Sequence, residues 1–293
     1  MSPGILFALA AYTMWGLFPL FFGLLRDVPT FEVLMHRMVW SLLVLVAVLL
    51  ALRRWRWIGA LVAAPGLVWR YVLSALLIAV NWFVYIWSVS HGHVVDASLG
   101  YFITPLFSVL LGRVALDERP RPAQWAAVAL AAVGVVWLAL QAGHVPWIGL
   151  VLAASFSAYG LAKKTAPLAA LEGLALETAL LFPLALAALA WLAWSGHSAF
   201  ADGDARTRAL LVASGPLTAL PLLLFAAGAR RIPMATLGLL QYVSPTLQLV
   251  IGVVVFGEAF GRAALIGYVA IWAALALYAA EGFRHARRPA AAT

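Results

Sequence analysis

The sequence predicts an all-α integral membrane protein whose ten transmembrane helices form two inverted five-helix repeats. Three observations carry this expectation. The chain is 65% hydrophobic and only 10% charged, where soluble domains carry about 25% charged residues. Ten apolar stretches reach the roughly 20 residues a helix needs to cross the hydrocarbon core. Matched residues recur at an offset of 140 positions. In any soluble fold a chain this apolar would leave much of its hydrophobic surface in water, so the bilayer is the solvent that suits it.

The first repeat, residues 1–142, holds the stretches 4–24, 32–52, 67–90, 95–115 and 122–141. The N-terminus has no basic n-region and its first run is long enough to span, so it reads as a first helix rather than a cleaved signal peptide. The second repeat, 143–293, holds 146–163, 173–194, 208–229, 234–255 and 261–282. Breakers separate several stretches: Val28-Pro29, Arg119-Pro120-Arg121-Pro122 and Val145-Pro146. With the N-terminus in the cytoplasm, fourteen of the nineteen Lys and Arg residues fall in cytoplasmic loops and the tail; Arg26, Arg206, Arg208 and Arg262 fall outside and Arg37 lies within a span. This asymmetry places both termini in the cytoplasm. One helix more or fewer would scramble it.

The net charge of +8 is therefore a property of loops, and no basic run is long enough to form a nucleic-acid groove. The absence of cysteine excludes disulfides and thiolate metal sites. Thirteen Trp and eight Tyr suit a protein with two membrane–water interfaces.

The repeat is carried by particular residues. Tyr101-Phe102-Ile103-Thr104-Pro105 matches Gln241-Tyr242-Val243-Ser244-Pro245. Each Pro is followed at +7 by Gly112 or Gly252 and at +13 by Glu118 or Glu258. Ala97-Ser98-Leu99-Gly100 recurs, displaced by two, as Ala235-Thr236-Leu237-Gly238, and the same offset pairs Glu32 with Glu172 and Asn81 with Pro221. Five is odd, so the second copy enters the membrane from the opposite side. A pseudo-two-fold axis in the membrane plane then relates the halves, as in secondary transporters whose substrate site lies near the midplane.

The segments Glu32-Val33-Leu34-Met35-His36-Arg37, Asn81-Trp82-Phe83-Val84-Tyr85-Ile86-Trp87, Ala97-Ser98-Leu99-Gly100-Tyr101-Phe102 and Gly257-Glu258 resemble the RarD-like branch of the EamA family, in the drug/metabolite transporter superfamily. The resemblance covers essentially the whole chain. It implies ten helices, a bacterial inner-membrane location and export of small metabolites. YddG-like exporters of the superfamily move amino acids, notably aromatic ones, and RarD is associated with chloramphenicol sensitivity. Amino-acid export is the reading this favours; proton-coupled efflux of drugs or other metabolites is the alternative.

Within the spans, Arg37 and Glu177 stand out because a central charge costs roughly 2.5–3.5 kcal/mol even on mild scales. They occupy equivalent repeat positions, yet each lies roughly 8 Å inside an opposite face, which argues against a mutual ion pair. Each is expected to stabilise a gate or cavity wall on its own side. Tyr12 and Trp15 share a face of the first helix, Asn81, Tyr85 and Ser88 a face of the third, and Ser155 and Tyr159 a face of the sixth. With Tyr101, Gln241 and Tyr242 these residues form a candidate substrate cavity of aromatic walls and a few hydrogen-bonding groups, suited to amino acids or flat aromatic compounds. His36, also within a span, completes the candidate set and with Glu177 would be the group to carry a proton if transport were coupled. Pro19, Pro105, Pro183, Pro221 and Pro245 are placed to interrupt helices and free carbonyls.

No cofactor is expected. His91-Gly92-His93-Val94-Val95-Asp96 reads as a hydrophilic loop end without a second ligand cluster, and no Gly-rich loop with Lys offers an ATP site. An intramembrane enzyme acting on lipids would cluster acid, base or metal-binding groups at one depth, and this chain does not, so it reads as no enzyme. The expected partners are a small-molecule substrate and the lipid bilayer.

Overall fold

The computed structural model describes residues 2–63, 65–90, 94–142, 145–257 and 261–286. Helices occupy all ten expected stretches, and no strand occurs among the described residues. In chain order they are α1 (Pro3–Phe22), α2 (Thr30–Ala51), α3 (Arg56–Ala63), α4 (Pro65–Ser90), α5 (Val94–Ala115), α6 (Pro122–Ala142), α7 (Trp147–Lys164), α8 (Ala170–Trp194), α9 (Ala199–Asp202), α10 (Ala205–Ala229), α11 (Met234–Gln241), α12 (Val243–Val254) and α13 (Arg262–Ala286). Among the described residues eight segments are long and apolar enough to cross a membrane: α1, α2, α4, α6, α8, α10, α11 with α12, and α13. In α5 the apolar part runs over Gly100–Ala115. The protein is a multi-pass, all-helical membrane protein.

Two features depart from the expected outline. Short helices α3 and α9 fill the loops after α2 and α8. The stretch 234–255 is not one helix but two, broken at Tyr242. Pro245 is the physical reason: it has no N–H to give the carbonyl of Gln241, and its ring crowds that carbonyl, so the chain tightens into a Tyr242 N–H to Leu239 O bond of 3.3 Å. The equivalent Pro105 leaves α5 continuous.

Local chemistry sets the helix starts. Pro3 occupies the first turn of α1, with the Ser2 hydroxyl accepting from Ile5 N–H at 3.4 Å. Asp204 caps α10 through Thr207 N–H at 2.7 Å, and that bond holds its carboxyl below the usual carboxylate range. The repeated Gly-to-Glu spacing also acquires a structural meaning here. Glu118, just past α5, accepts from Met234 N–H at 2.8 Å and Ala235 N–H at 3.3 Å, so it caps the positive end of α11. Gly112 must be small: a Cβ there would sit 2.7 Å from the Glu118 carboxylate and 2.8 Å from Met234. Glu118→Ala is expected to cost about 1 kcal/mol, within the range of lost helix caps, read as a lower melting temperature in detergent. Unchanged melting would show the cap to be idle. The repeat mate Glu258 lies outside the described residues.

Helix pairs across the two halves come as mates at the repeat offset. α1 packs on α10 as α4 does on α7; α2 on α10 as α4 on α8; α1 on α11 and α12 as α5 on α7. α2 with α8, α5 with α11, and α6 with α13 pair equivalent helices. Phe102 and Tyr242, 140 residues apart, stack at 6.4 Å, and the Tyr242 hydroxyl donates to Phe102 O at 3.1 Å. Within the halves the match fails twice. α5 packs on α6, with no comparably close approach of α11 or α12 to α13 among the described residues. α10 packs on α7 and α8, whereas no comparable packing joins α4 to α1 or α2 among the described residues.

Candidate substrate cavity

A cavity of about 390 Å³ opens where that packing is missing, between α1, α2 and α4, with α5, α10, α11 and α12 behind. It runs from Tyr12 and Asn81 in mid-helix to Leu25, Arg26, Val28 and Thr30 at the α1–α2 connection. Its size falls in the range of small-molecule sites. Of the candidate substrate residues it gathers Tyr12, Trp15, Asn81, Tyr85, Tyr101 and Gln241, together with the gating candidate Arg37.

Six of these seven are held by neighbouring groups. The Tyr12 hydroxyl donates to Leu237 O at 3.0 Å, tying α1 to α11. Trp15 meets Phe156 at 5.7 Å and Phe225 at 5.6 Å, and Gln248 donates to Trp15 O at 3.1 Å. Asn81 donates to Leu152 O and Ser155 Oγ, both at 3.0 Å, which spends its two N–H bonds and leaves its carbonyl oxygen as an acceptor. Tyr85 and Tyr101 meet edge to face at 6.0 Å. Arg37 Nε donates to Thr218 Oγ1 at 2.8 Å, and the guanidinium lies 5.1 to 5.8 Å from the rings of Phe18, Phe22 and Trp82. Among the described residues the cavity lining contains no Asp, Glu or His side chain.

Four candidates lie elsewhere. Ser155 is one layer behind, as the partner of Asn81. Tyr242 is fully buried against Phe102, in the α5–α11 contact. His36 lies outside the cavity lining: its ring is tilted against Phe200 at 4.8 Å, accepts from Trp40 at 3.2 Å, and has Nε2 3.7 Å from buried Glu32. Glu32 in turn accepts from Ser198 and from the backbone N–H groups of Ala199 and Phe200, so this cluster fastens α9.

Tyr159 belongs with Glu177 in a second polar centre. Glu177 accepts from Lys163 Nζ at 2.6 Å, Ser74 Oγ at 2.7 Å and the Tyr159 hydroxyl at 3.3 Å, all buried, beside a void of only about 20 Å³. The cluster stitches α4, α7 and α8 together. It sits at the end opposite the α1–α2 connection, since neighbouring Lys164 donates to Ile232 O and Arg231 lies over Phe7 near the start of α1. Lys163, one of the fourteen cations expected in cytoplasmic loops, is instead 2% exposed and paired, because α4 and α8 pack over it. No ion pair joins Arg37 to Glu177 among the described residues. Phe18, Phe22, Trp82, Phe156, Thr218, Ser244 and Gln248 also line the cavity. Trp82 follows Asn81 directly, and Phe22 stands seven residues from Trp15 on the same helical face, so periodicity could have found both. His91 to His93 lie outside the described residues.

Residues 2–140 match the EamA-like transporter family. The RarD protein of Streptomyces exfoliatus is 49% identical over 97% of this chain and 90% of its own length. An uncharacterized transporter of Pseudomonas aeruginosa is 46% identical over 97% and 96%. The chloramphenicol-sensitive protein RarD of the same organism is 35% identical over 98% and 97%. A crystal structure 21% identical in sequence matches 96% of this chain and 98% of its own at a TM-score of 0.69, a likeness of fold. With identities of this size over nearly its full length, the chain belongs to the EamA-like transporter family, in its RarD-like branch.

Proposed function

We propose that this protein is a bacterial inner-membrane secondary transporter that exports small metabolites, foremost amino acids including aromatic ones, as a facilitator working by alternating access. In this reading all ten stretches span the membrane, residues 1–142 and 143–293 are inverted repeats, and both termini are cytoplasmic. The cavity carries the proposal. It is walled by both halves and lined by aromatic rings with a few hydrogen-bonding groups, the mixture that suits a zwitterion with an apolar body. The mated helix contacts support the repeat, as does a family match that stops at residue 140.

Alternating access draws on one of the places where the halves differ. α7, α8 and α10 are closed together, with Glu177 as their latch to α4, while their mates α1, α2 and α4 stand apart around the cavity. Exchanging the two conformations would close the first set and open the second, moving the cavity from one side of the membrane to the other. Facilitation is favoured over proton coupling because, among the described residues, the cavity lining offers no carboxylate or imidazole, and Glu177 is spent on Lys163.

The test is uptake by proteoliposomes of a labelled amino-acid panel including aromatic, Met and Thr members, with and without a pH gradient. Saturable uptake indifferent to the gradient is expected. Gradient-driven accumulation would replace the facilitator with a coupled carrier. Uptake no greater than that of empty liposomes would remove amino acids as cargo and bring forward drug efflux, the reading favoured by the name of the chloramphenicol-sensitive relative.

A further inference from the structure

Arg37 is a cation kept inside a membrane protein without a counter-ion among the described residues. Among the described residues no carboxylate reaches it, and its one hydrogen bond runs from Nε to Thr218. The Thr218 hydroxyl gives its own proton to Ser214 O at 2.7 Å, so its oxygen accepts from Arg37 and fixes the guanidinium from behind. The two terminal nitrogens have no protein acceptor among the described residues, and Arg37 lines the cavity. Phe18, Phe22 and Trp82 surround the group with rings 5.1 to 5.8 Å away, which favours the charge but cannot take a hydrogen bond in its plane. A guanidinium with one edge fixed and its fork free matches the two oxygens of a carboxylate. The rest of the electrostatics agrees: among the described residues the other charge on the lining is Arg26 at the mouth, and no acidic side chain lines the cavity to welcome a simple amine.

We propose that Arg37 is the carboxylate anchor of the cavity, and that the site selects molecules bearing one carboxylate on an aromatic or apolar body. Zwitterionic amino acids and simple aromatic acids share this chemistry; amines and neutral amides lack it. The inference rests on the cavity being the substrate site, as proposed above, and adds the residue that sets the ligand class.

Calorimetric titration of the purified full chain with L-phenylalanine, 3-phenylpropionate and 3-phenylpropanamide tests it. The propionate is expected to bind at least about tenfold more tightly than its amide, the scale of one charge-assisted hydrogen bond. In Arg37→Gln that preference should shrink below about threefold, and Arg37→Lys, which keeps a charge but not the fork, should fall between. The wild-type comparison alone decides the ligand class if Arg37→Gln does not fold. Equal binding of acid and amide, binding of neither acid, or a preference that survives in Arg37→Gln overturns the anchor. Binding of 3-phenylpropionate without phenylalanine sustains it while removing amino acids as cargo. Binding of both acids with no uptake into proteoliposomes sustains it and removes the transport reading instead.

Discussion

Replacing Lys163 with Met is expected to destabilise the protein by about 3–5 kcal/mol, the usual penalty for leaving one member of a buried ion pair without its partner. Both side chains of the pair are 3% exposed and their charged atoms lie 2.6 Å apart, so solvent cannot take over the missing charge. Ser74 and Tyr159 would remain as donors to Glu177, but two neutral hydrogen bonds do not balance a carboxylate in this setting. The double variant Lys163→Met with Glu177→Gln should recover most of the loss: it removes the second charge, and the Gln oxygen still accepts from Ser74 while its amide N–H can donate to the Tyr159 hydroxyl oxygen. The measurement is the melting temperature of each variant in one detergent, with the fraction eluting as a single species. A double variant no more stable than Lys163→Met would show that the pair is not the source of the loss. Because the cluster joins α4 to α7 and α8, the single variant should also loosen the latch proposed for that end.

The same cluster shows where sequence reading succeeds and where it stops. Period and length revealed the spanning helices, because apolar runs of about 20 residues admit few other fates. The shared helix faces of Tyr12 with Trp15 and of Asn81 with Tyr85 were equally visible, and those residues do meet in one cavity. Helical spacing shows which residues share a face; it does not show which neighbouring helix that face meets. Ser155 and Tyr159 share a face in α7, yet Ser155 bonds Asn81 behind the cavity while Tyr159 bonds Glu177 in the other polar centre. Lys163 lies four residues beyond Tyr159 on that face, which was a legible signal. Its place at the end of an apolar run made a loop the simpler reading, and only the packing of α4 and α8 over it buries the charge. His36 and Tyr242 were drawn into the candidate site by residue type, whereas tertiary contacts assign them to fastening α9 and to the α5–α11 contact. Glu118 is the reverse case, a repeated carboxylate whose spacing from Pro105 encodes a helix cap.

Gly215→Leu is expected to prevent normal assembly, with a loss above about 3 kcal/mol. A Cβ at Gly215 would collide with Trp40 Cβ and stand 2.5 Å from the Trp40 carbonyl carbon and 2.8 Å from Ser41 N. Two of those atoms are backbone, so no side-chain rotation relieves the clash and α2 must move away from α10. Small residues at helix crossings serve this close approach in membranes, where lipid offers little hydrophobic drive to hold helices together. Overpacking alone costs about 1–3 kcal/mol, occasionally more. The separation would also break the Ser41 hydroxyl to Gly215 O bond of 3.0 Å and strain the Arg37 to Thr218 bond one turn along, each worth about 1 kcal/mol or more. Gly215→Ala should show the overpacking part of the loss in the melting temperature and, by displacing Thr218, weaken carboxylate binding in the cavity. Gly59→Ala is the control, since a Cβ there meets nothing within 4 Å. If Gly215→Leu melted with the wild type, the α2–α10 crossing would not be the tight joint between the halves that these distances describe. If Gly215→Ala lost stability but kept full carboxylate affinity, the crossing would hold the fold together without positioning Arg37.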